Sequence, residues 1–152
     1  MLDPSFNRGI RGIIHLLQFP MYIVIRNIKY SCPCVDRSDT ADPNCPLCLG
    51  TGYKIKIRKI LGALQPDTDS FRIAEKKSVV MNQYFFDSEN VTNEMMQHDN
   101  IIVRDNEIDI LDQPKKFRSD SNDVIYYYAN AQGKKVYKEE FLRNFWKLVK
   151  GK

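Results

Sequence analysis

Cysteine is missing from all of this chain except one short stretch. Outside residues 32–48 the 152 residues contain none, so a disulfide framework spread over the whole fold is excluded. Long apolar runs are also missing: none approaches the roughly 18–20 residues needed to cross a bilayer as a helix, and no membrane association is expected. Histidine is scarce, with two in the chain. No helical H-E-x-x-H, no glycine-rich phosphate loop and no nucleophile elbow appears. Catalysis needs convergent groups, and the sequence shows no such set, so the chain reads as a non-enzyme. His15 falls on an apolar helix face and His98 in a polar turn, and both read as structural. Internal repeats and low-complexity linkers are absent, which leaves one domain over 1–152.

The composition is that of an ordinary folded domain: 43% apolar, 28% charged and a net charge of +4. That charge is modest for a dedicated nucleic-acid binder. It is uneven, because "GKKVYKEEFLRNFWKLVKGK" carries seven Lys/Arg against two Glu, so an anionic partner would meet that end first. The N-terminal "MLDPSFNRGIRGIIHLLQF" has a short apolar part broken by His15 and Gln18, with Asp3 and Pro4 where a basic leader would begin. It reads as part of a mature protein made in the cytoplasm, and in that setting the Asn90-Val91-Thr92 sequon carries no meaning.

Periodicity predicts helix, strands, helix. Ile10, Ile13, Ile14 and Leu17 have helical spacing, ended by Pro20. "MYIVIRNIKY" reads as a strand running into Cys32. In "YKIKIRKILGAL", Tyr53, Ile55 and Ile57 alternate with Lys54, Lys56 and Arg58, the pattern of a half-buried strand. Pro66, Asp67 and Asp69 mark a loop. "SVVMNQYFFD" is a further strand, and "HDNIIVRDNEIDIL" two short strands about Asp105-Asn106. "DVIYYYANAQGKKVY" reads as a hairpin turning at Asn130 to Gly133. "KEEFLRNFWKLVK" sets Phe141, Phe145, Leu148 and Val149 on one helix face. The expected class is mainly β (α+β): a small antiparallel barrel or sandwich of five or six strands, with a helix at each end.

The cysteines are spaced C-x-C, ten residues, then C-x-x-C: Cys32, Cys34, Cys45 and Cys48. Two close pairs joined by a loop suit a tetrahedral zinc ion, each pair giving two ligands from one turn. Pro33 and Pro46 pre-set those turns, and Gly50 and Gly52 permit a sharp exit. Asp36, Asp39, Asp42 and Asn44 suit a solvent-facing loop. Residues 31–52 thus read as a knuckle inserted between strands, with the apolar core elsewhere. Two disulfides, or a redox C-x-x-C, would use the same thiols. Four cysteine ligands close the coordination sphere, so a zinc ion here is structural rather than catalytic.

Two resemblances follow. "CPLCLGTG" is similar to the C-x-x-C-x-G-x-G unit of the DnaJ-type zinc-binding region, a family that carries four such units where this chain has one. More extensively, a strand ending in "CPC", a short Asp-rich loop, "CPLCLGTGY" and a β-rich remainder resemble small neck proteins of tailed bacteriophages. In "MQHDNIIVRDNEIDILD", Asp99 precedes a short strand, a turn and another strand, as in their small β-barrel. This resemblance implies a virion structural protein: a head-completion, connector or stopper component in the neck, assembled in the host cytoplasm. It implies a six- or twelve-fold ring of this chain meeting portal or adaptor proteins and tail proteins, with possible contact with packaged DNA. Two rivals remain open. One is a zinc-ribbon nucleic-acid-binding module using the strand Tyr53 to Ile60, and the other an enzyme accessory domain. Tyr126 and Tyr128 read as core or interface positions rather than base-stacking ones, and Trp146 as part of a docking or packing helix.

Overall fold

The computed structural model describes residues 12–38, 42–65, 81–118, 124–133 and 137–150. Residues 12–17 are helical (α1). They are followed by β1 (Phe19–Ser31), α2 (Pro33–Ser38), β2 (Tyr53–Gln65), β3 (Met81–Asp87), β4 (Ile101–Arg104), β5 (Glu107–Leu111), β6 (Lys115–Arg118), β7 (Val124–Gly133) and α3 (Lys138–Lys150). The architecture is mainly β with flanking helices, the α+β class that the strand-rich sequence implies. Ile10 and the loop at Pro66, Asp67 and Asp69 lie outside the described residues.

The seven strands form one antiparallel sheet in the order β3-β2-β1-β4-β5-β7-β6, and a further pairing of β3 with β7 brings the ladder round on itself. Among the described residues all the strands belong to this one sheet, and none forms a second sheet stacked on it. Neither is it a regular barrel, because three of its seams, β1–β4, β2–β3 and β5–β7, are each three residue pairs long. The longest seam is β1–β2, running from Phe19↔Gly62 to Ser31↔Tyr53 with an irregularity between Asn27 and Ser31.

Alternation along the strands gives the sheet two apolar faces. Inward, Met21, Ile23, Ile25, Ile60, Tyr84, Phe86, Ile102, Leu111, Ala129 and Ala131 pack together with Met95. The space is tight where β2 passes Phe86: a Cβ on Gly62 would lie 2.8 Å from the Phe86 ring, so glycine is required there. Outward, Val24, Ile101, Val103 and Ile108 meet Phe141 and Phe145 of α3. That helix carries Glu139 and Glu140 in its first turn and Lys147 and Lys150 in its last, matching the helix dipole at both ends. Phe141 and Phe145 are buried as the periodicity predicts, and Trp146 stands edge-on to Tyr22 and Phe145 at 5.8 and 5.0 Å. Trp146 therefore packs on its own sheet.

One local expectation changes and two elements are added. The predicted turn at Asn130 to Gly133 is absent, because β7 continues straight through it. Asn130 to Gln132 pair with β3, and Ala131 to Gly133 with β5. A ladder on both sides outweighs the local turn chemistry of Asn and Gly. Second, "KKFR" forms the strand β6 at the outer end of the sheet order, its charges suited to an edge. Third, the first half of the cysteine loop contains α2, which begins at Pro33, where a proline's missing N–H costs nothing.

α1 lies over the outer side of β2 and β3. It buries Ile14 and brings His15 Nε2 against the buried carboxylate of Asp87. His98 stays exposed, and its backbone carbonyl accepts from Arg26.

Candidate metal centre

The cysteine loop spans the gap between two strands that are already paired. β1 stops at Ser31, β2 starts at its partner Tyr53, and the Cys32 amide donates to the Gly52 carbonyl at 2.9 Å to close the base. From that base the first pair is set by a turn in which Val35 N–H donates to Cys32 O (3.0 Å). The second pair is set by two such devices. The Asp42 side chain accepts from Asn44 N–H (3.0 Å), and its carbonyl from Cys45 N–H (3.1 Å). After Cys48, Leu49, Gly50 and Gly52 all take positive φ (54°, 84° and 82°). A side chain on Gly50 would also press on the Pro43 carbonyl at 3.2 Å, so the exit glycine is required sterically as well as conformationally. Thr51 pins the exit, its hydroxyl donating to Cys48 O at 2.8 Å.

These turns bring all four sulfurs together. Cys32 Sγ and Cys45 Sγ are 3.7 Å apart, Cys34 Sγ and Cys48 Sγ 3.6 Å, and all four lie within 4.8 Å of one another. A disulfide needs about 2.05 Å, so neither close pair is bonded. A tetrahedral ion with metal–sulfur bonds of about 2.3 Å places its sulfurs about 3.8 Å apart. The set therefore has the size of such a sphere. Cys32, Cys45 and Cys48 are buried and Cys34 is half-buried, while Asp42 and Asn44 are exposed as the sequence suggests.

Backbone amides point at the thiols in a repeated way. Cys34 N–H donates to Cys32, Leu47 and Cys48 N–H to Cys45, and Gly50 and Gly52 N–H to Cys48. Burial pushes the Cys45 thiol up, but the amides of Cys48 and Leu47 and the neighbouring thiols outweigh it and bring Cys45 down to about 7. At Cys48 burial wins and the thiol is pushed up to about 12. Burial also raises Cys32. Without a cation, burial therefore favours the neutral thiol at Cys32 and Cys48, while the amides around Cys45 favour its thiolate. A bound cation supplies what desolvation removes, so the cluster can hold a metal ion through four sulfurs.

One feature departs from the sequence reading, which places the apolar core away from this loop. Leu49, between Cys48 and Gly50, is 2% exposed and belongs to the packed cluster that contains Phe141 and Phe145. The loop thus enters the outer core. A bulky residue directly after C-x-x-C is the signal that could have shown it.

A second polar cluster, unmarked in the sequence reading, sits at inward positions of β3, β4 and β5. Tyr84 O–H donates to Asp109, Arg104 Nε lies 2.8 Å from Tyr84 Oη and 3.4 Å from Asp109 Oδ2, and Asn82 Nδ2 reaches both Asp109 oxygens at 3.3 Å. Asp109 is buried and every partner is on a strand, so the network ties the inner end of the sheet together. The period-two pattern of "EIDIL" puts Asp109 on the same side as Leu111, which was the legible clue.

The basic stripe of β2 is engaged within the chain. Lys54 sits over the Tyr30 ring (5.4 Å), Lys56 pairs with Glu94 (3.6 Å), and Arg58 Nη1 donates to Thr92 Oγ1 (3.3 Å). Tyr126 and Tyr128 are half-buried, with Tyr126 stacked on Phe117 at 4.7 Å. Among the described residues no helix is long and apolar enough to cross a membrane. No protein-family model and no curated protein sequence matches the chain.

Proposed function

We propose that the four thiols hold one structural zinc ion, and that the chain is a non-enzymatic building block of the neck of a tailed-phage virion. In this reading copies of it form a ring between portal or adaptor proteins and the tail. The observation that carries the zinc assignment is the quartet of sulfurs at tetrahedral spacing, with amides directed at three of them. Soft thiolates select zinc among common divalent ions, and four of them leave no open position for catalysis. The neck assignment rests on the sequence pattern. It is supported by the strand–turn–strand at β4 and β5 after Asp99, which begins with Asp99 N–H donating to Leu111 O at 2.9 Å. A scaffold role also suits an ion placed where it braces a loop against the helix-covered face rather than lining a cleft.

The rival reading, nucleic-acid binding along β2, needs Lys54, Lys56 and Arg58 to be available. Their contacts with Tyr30, Glu94 and Thr92 weigh against it.

Two measurements test the proposal. Elemental analysis of reduced, freshly purified protein should find one zinc per chain, and stoichiometric iron or no metal overturns the zinc assignment. Mixing with purified portal complexes should produce co-sedimentation of six or twelve copies. A chain that ignores portal and tail assemblies, or that turns over a substrate alone, overturns the neck assignment.

A further inference from the structure

α3 is 13 residues long, near the lower limit for a helix that must stand without tertiary support. Its buried face depends on what it meets. Phe141 and Phe145 pack with strand residues and with one residue from a loop, Leu49. That residue holds φ +54°, a region that branched side chains enter only when the surroundings enforce it. The enforcing neighbours are Cys48 before it and the hydrogen bond from Leu49 N–H to Cys45 O (3.0 Å). A second tie joins the same two parts: Asn144 Nδ2 of α3 donates to the carbonyl of Asn44 (3.3 Å), the residue before Cys45. So these two ties from the loop to the α3 layer, at Asn44 and Leu49, sit immediately beside the second thiol pair.

Apart from Leu49, the buried apolar residues of the described loop are Cys32, Cys45 and Cys48, which cluster with one another and with Cys34, while Leu47 is exposed. Nothing apolar of its own fixes the geometry of Leu49 once the sulfurs separate. We infer that metal occupancy at Cys32, Cys34, Cys45 and Cys48 governs the docking of α3. With the ion bound, the loop presents Leu49 and Asn44 to the helix. With the ion gone, the loop relaxes, Leu49 leaves the outer cluster and α3 detaches, baring Tyr22, Val24, Ile101 and Val103. The inner core is untouched, because the loop contributes no residue to it. This inference rests on the metal reading above, and the two fail differently.

The chain's one tryptophan is Trp146, on α3 between Tyr22 and Phe145, so helix docking has a built-in reporter. The experiment uses the full chain, reduced and with metal quantified, before and after a high-affinity chelator. Removal of the ion should shift Trp146 emission to the red and lower amide-exchange protection across 138–150 at least tenfold. Protection in β3 and β7 should hold, and added zinc should restore the starting state. Leu49→Ala should keep its one ion and still show the loss of protection in α3. If the ion leaves and α3 stays as protected as before, the inference is overturned. It is equally overturned if β3 and β7 lose protection together with α3, or if Leu49→Ala leaves α3 protection at the parent level. A chain that takes up no metal at all overturns the metal reading and this inference with it.

Discussion

The two apolar cores of this molecule share strands but are built differently. The inner core draws on β1, β2, β3, β4, β5 and β7, and its walls are the hydrogen-bond ladder that returns on itself at β3–β7. The outer core uses the opposite side of β1, β4 and β5, and is roofed by one helix and one loop residue. Strand alternation supplies both faces from the same strand, Met21, Ile23 and Ile25 inward against Tyr22 and Val24 outward. What differs is the lid. Backbone pairing holds the inner core regardless of the loop, whereas the outer core is only as fixed as α3 and Leu49.

That contrast is broken most directly by equal truncations on the two sides. Phe86→Ala removes a fully buried ring from the inner core and should cost about 3–5 kcal/mol. For a domain of this size that corresponds to a fall in Tm of roughly 10 °C. Phe145→Ala removes the same ring from the outer core. Its effect on Tm should be smaller, because it can cost no more than the docking of α3 is worth, while amide exchange in 138–150 accelerates. Equal falls in Tm would show that the cores are one cooperative unit.

The polar end of the inner core is next. Asp109→Ala strands Tyr84, Asn82 and Arg104 without their common acceptor, and breaking a buried charge pair in this way costs about 3 kcal/mol or more. Metal content should be unchanged, as the described buried residues of the cysteine loop join one another and the outer cluster, while this network lies on the inward side. Loss of zinc in a folded Asp109→Ala protein would show that the two ends of the sheet are coupled. Urea midpoints and elemental analysis on the same sample decide it.

How much of this was readable from the chain follows from the same contrast. Alternation is a local signal, so β1, β2, β4 and β5 were legible in "MYIVIRNIKY", "YKIKIRKI" and "IIVRDNEIDIL". The 3.6-residue period likewise gave α3, and the cysteine spacing gave the four sulfurs. What escaped depends on partners distant in sequence. Asn130 and Gly133 carry turn chemistry, yet two neighbouring ladders straighten them into β7. β6 is too charged to look like a strand, and exists because the edge of β7 needs a partner. The burial of Asp109 depends on Arg104 and Tyr84, which reach it from other strands. Leu49 looked like a loop residue until α3 covered it.

Alkaline pH sharpens the comparison further. Burial first, then the hydrogen bond and charge of Asp109, raise Tyr84 well above the ordinary phenol value. A group whose folded pKa is raised contributes stability that is fully present below its unfolded pKa, about 10 for tyrosine, and lost as pH climbs toward the folded value. Stability of the parent protein should therefore fall between about pH 10 and about pH 12 more steeply than that of Tyr84→Phe. Tyr126 is also raised, so the test is the difference between the two proteins, read from urea midpoints over that range. Parallel slopes would remove Tyr84 from the account of the inner core.

The smallest effect belongs to the start of α3. Lys138 Nζ lies 3.2 Å from Glu107 Oε2 at the beginning of β5, with side chains 31% and 57% exposed. Ion pairs this open contribute between zero and about 1 kcal/mol and weaken with salt. Glu107→Gln should therefore leave Tm nearly unchanged and raise amide exchange at 138–141 slightly, an effect that vanishes at about 1 M salt. If Glu107→Gln instead released α3 as fully as metal removal does, the helix would be held by charge at its first turn. The loop would then have no special hold on the outer core.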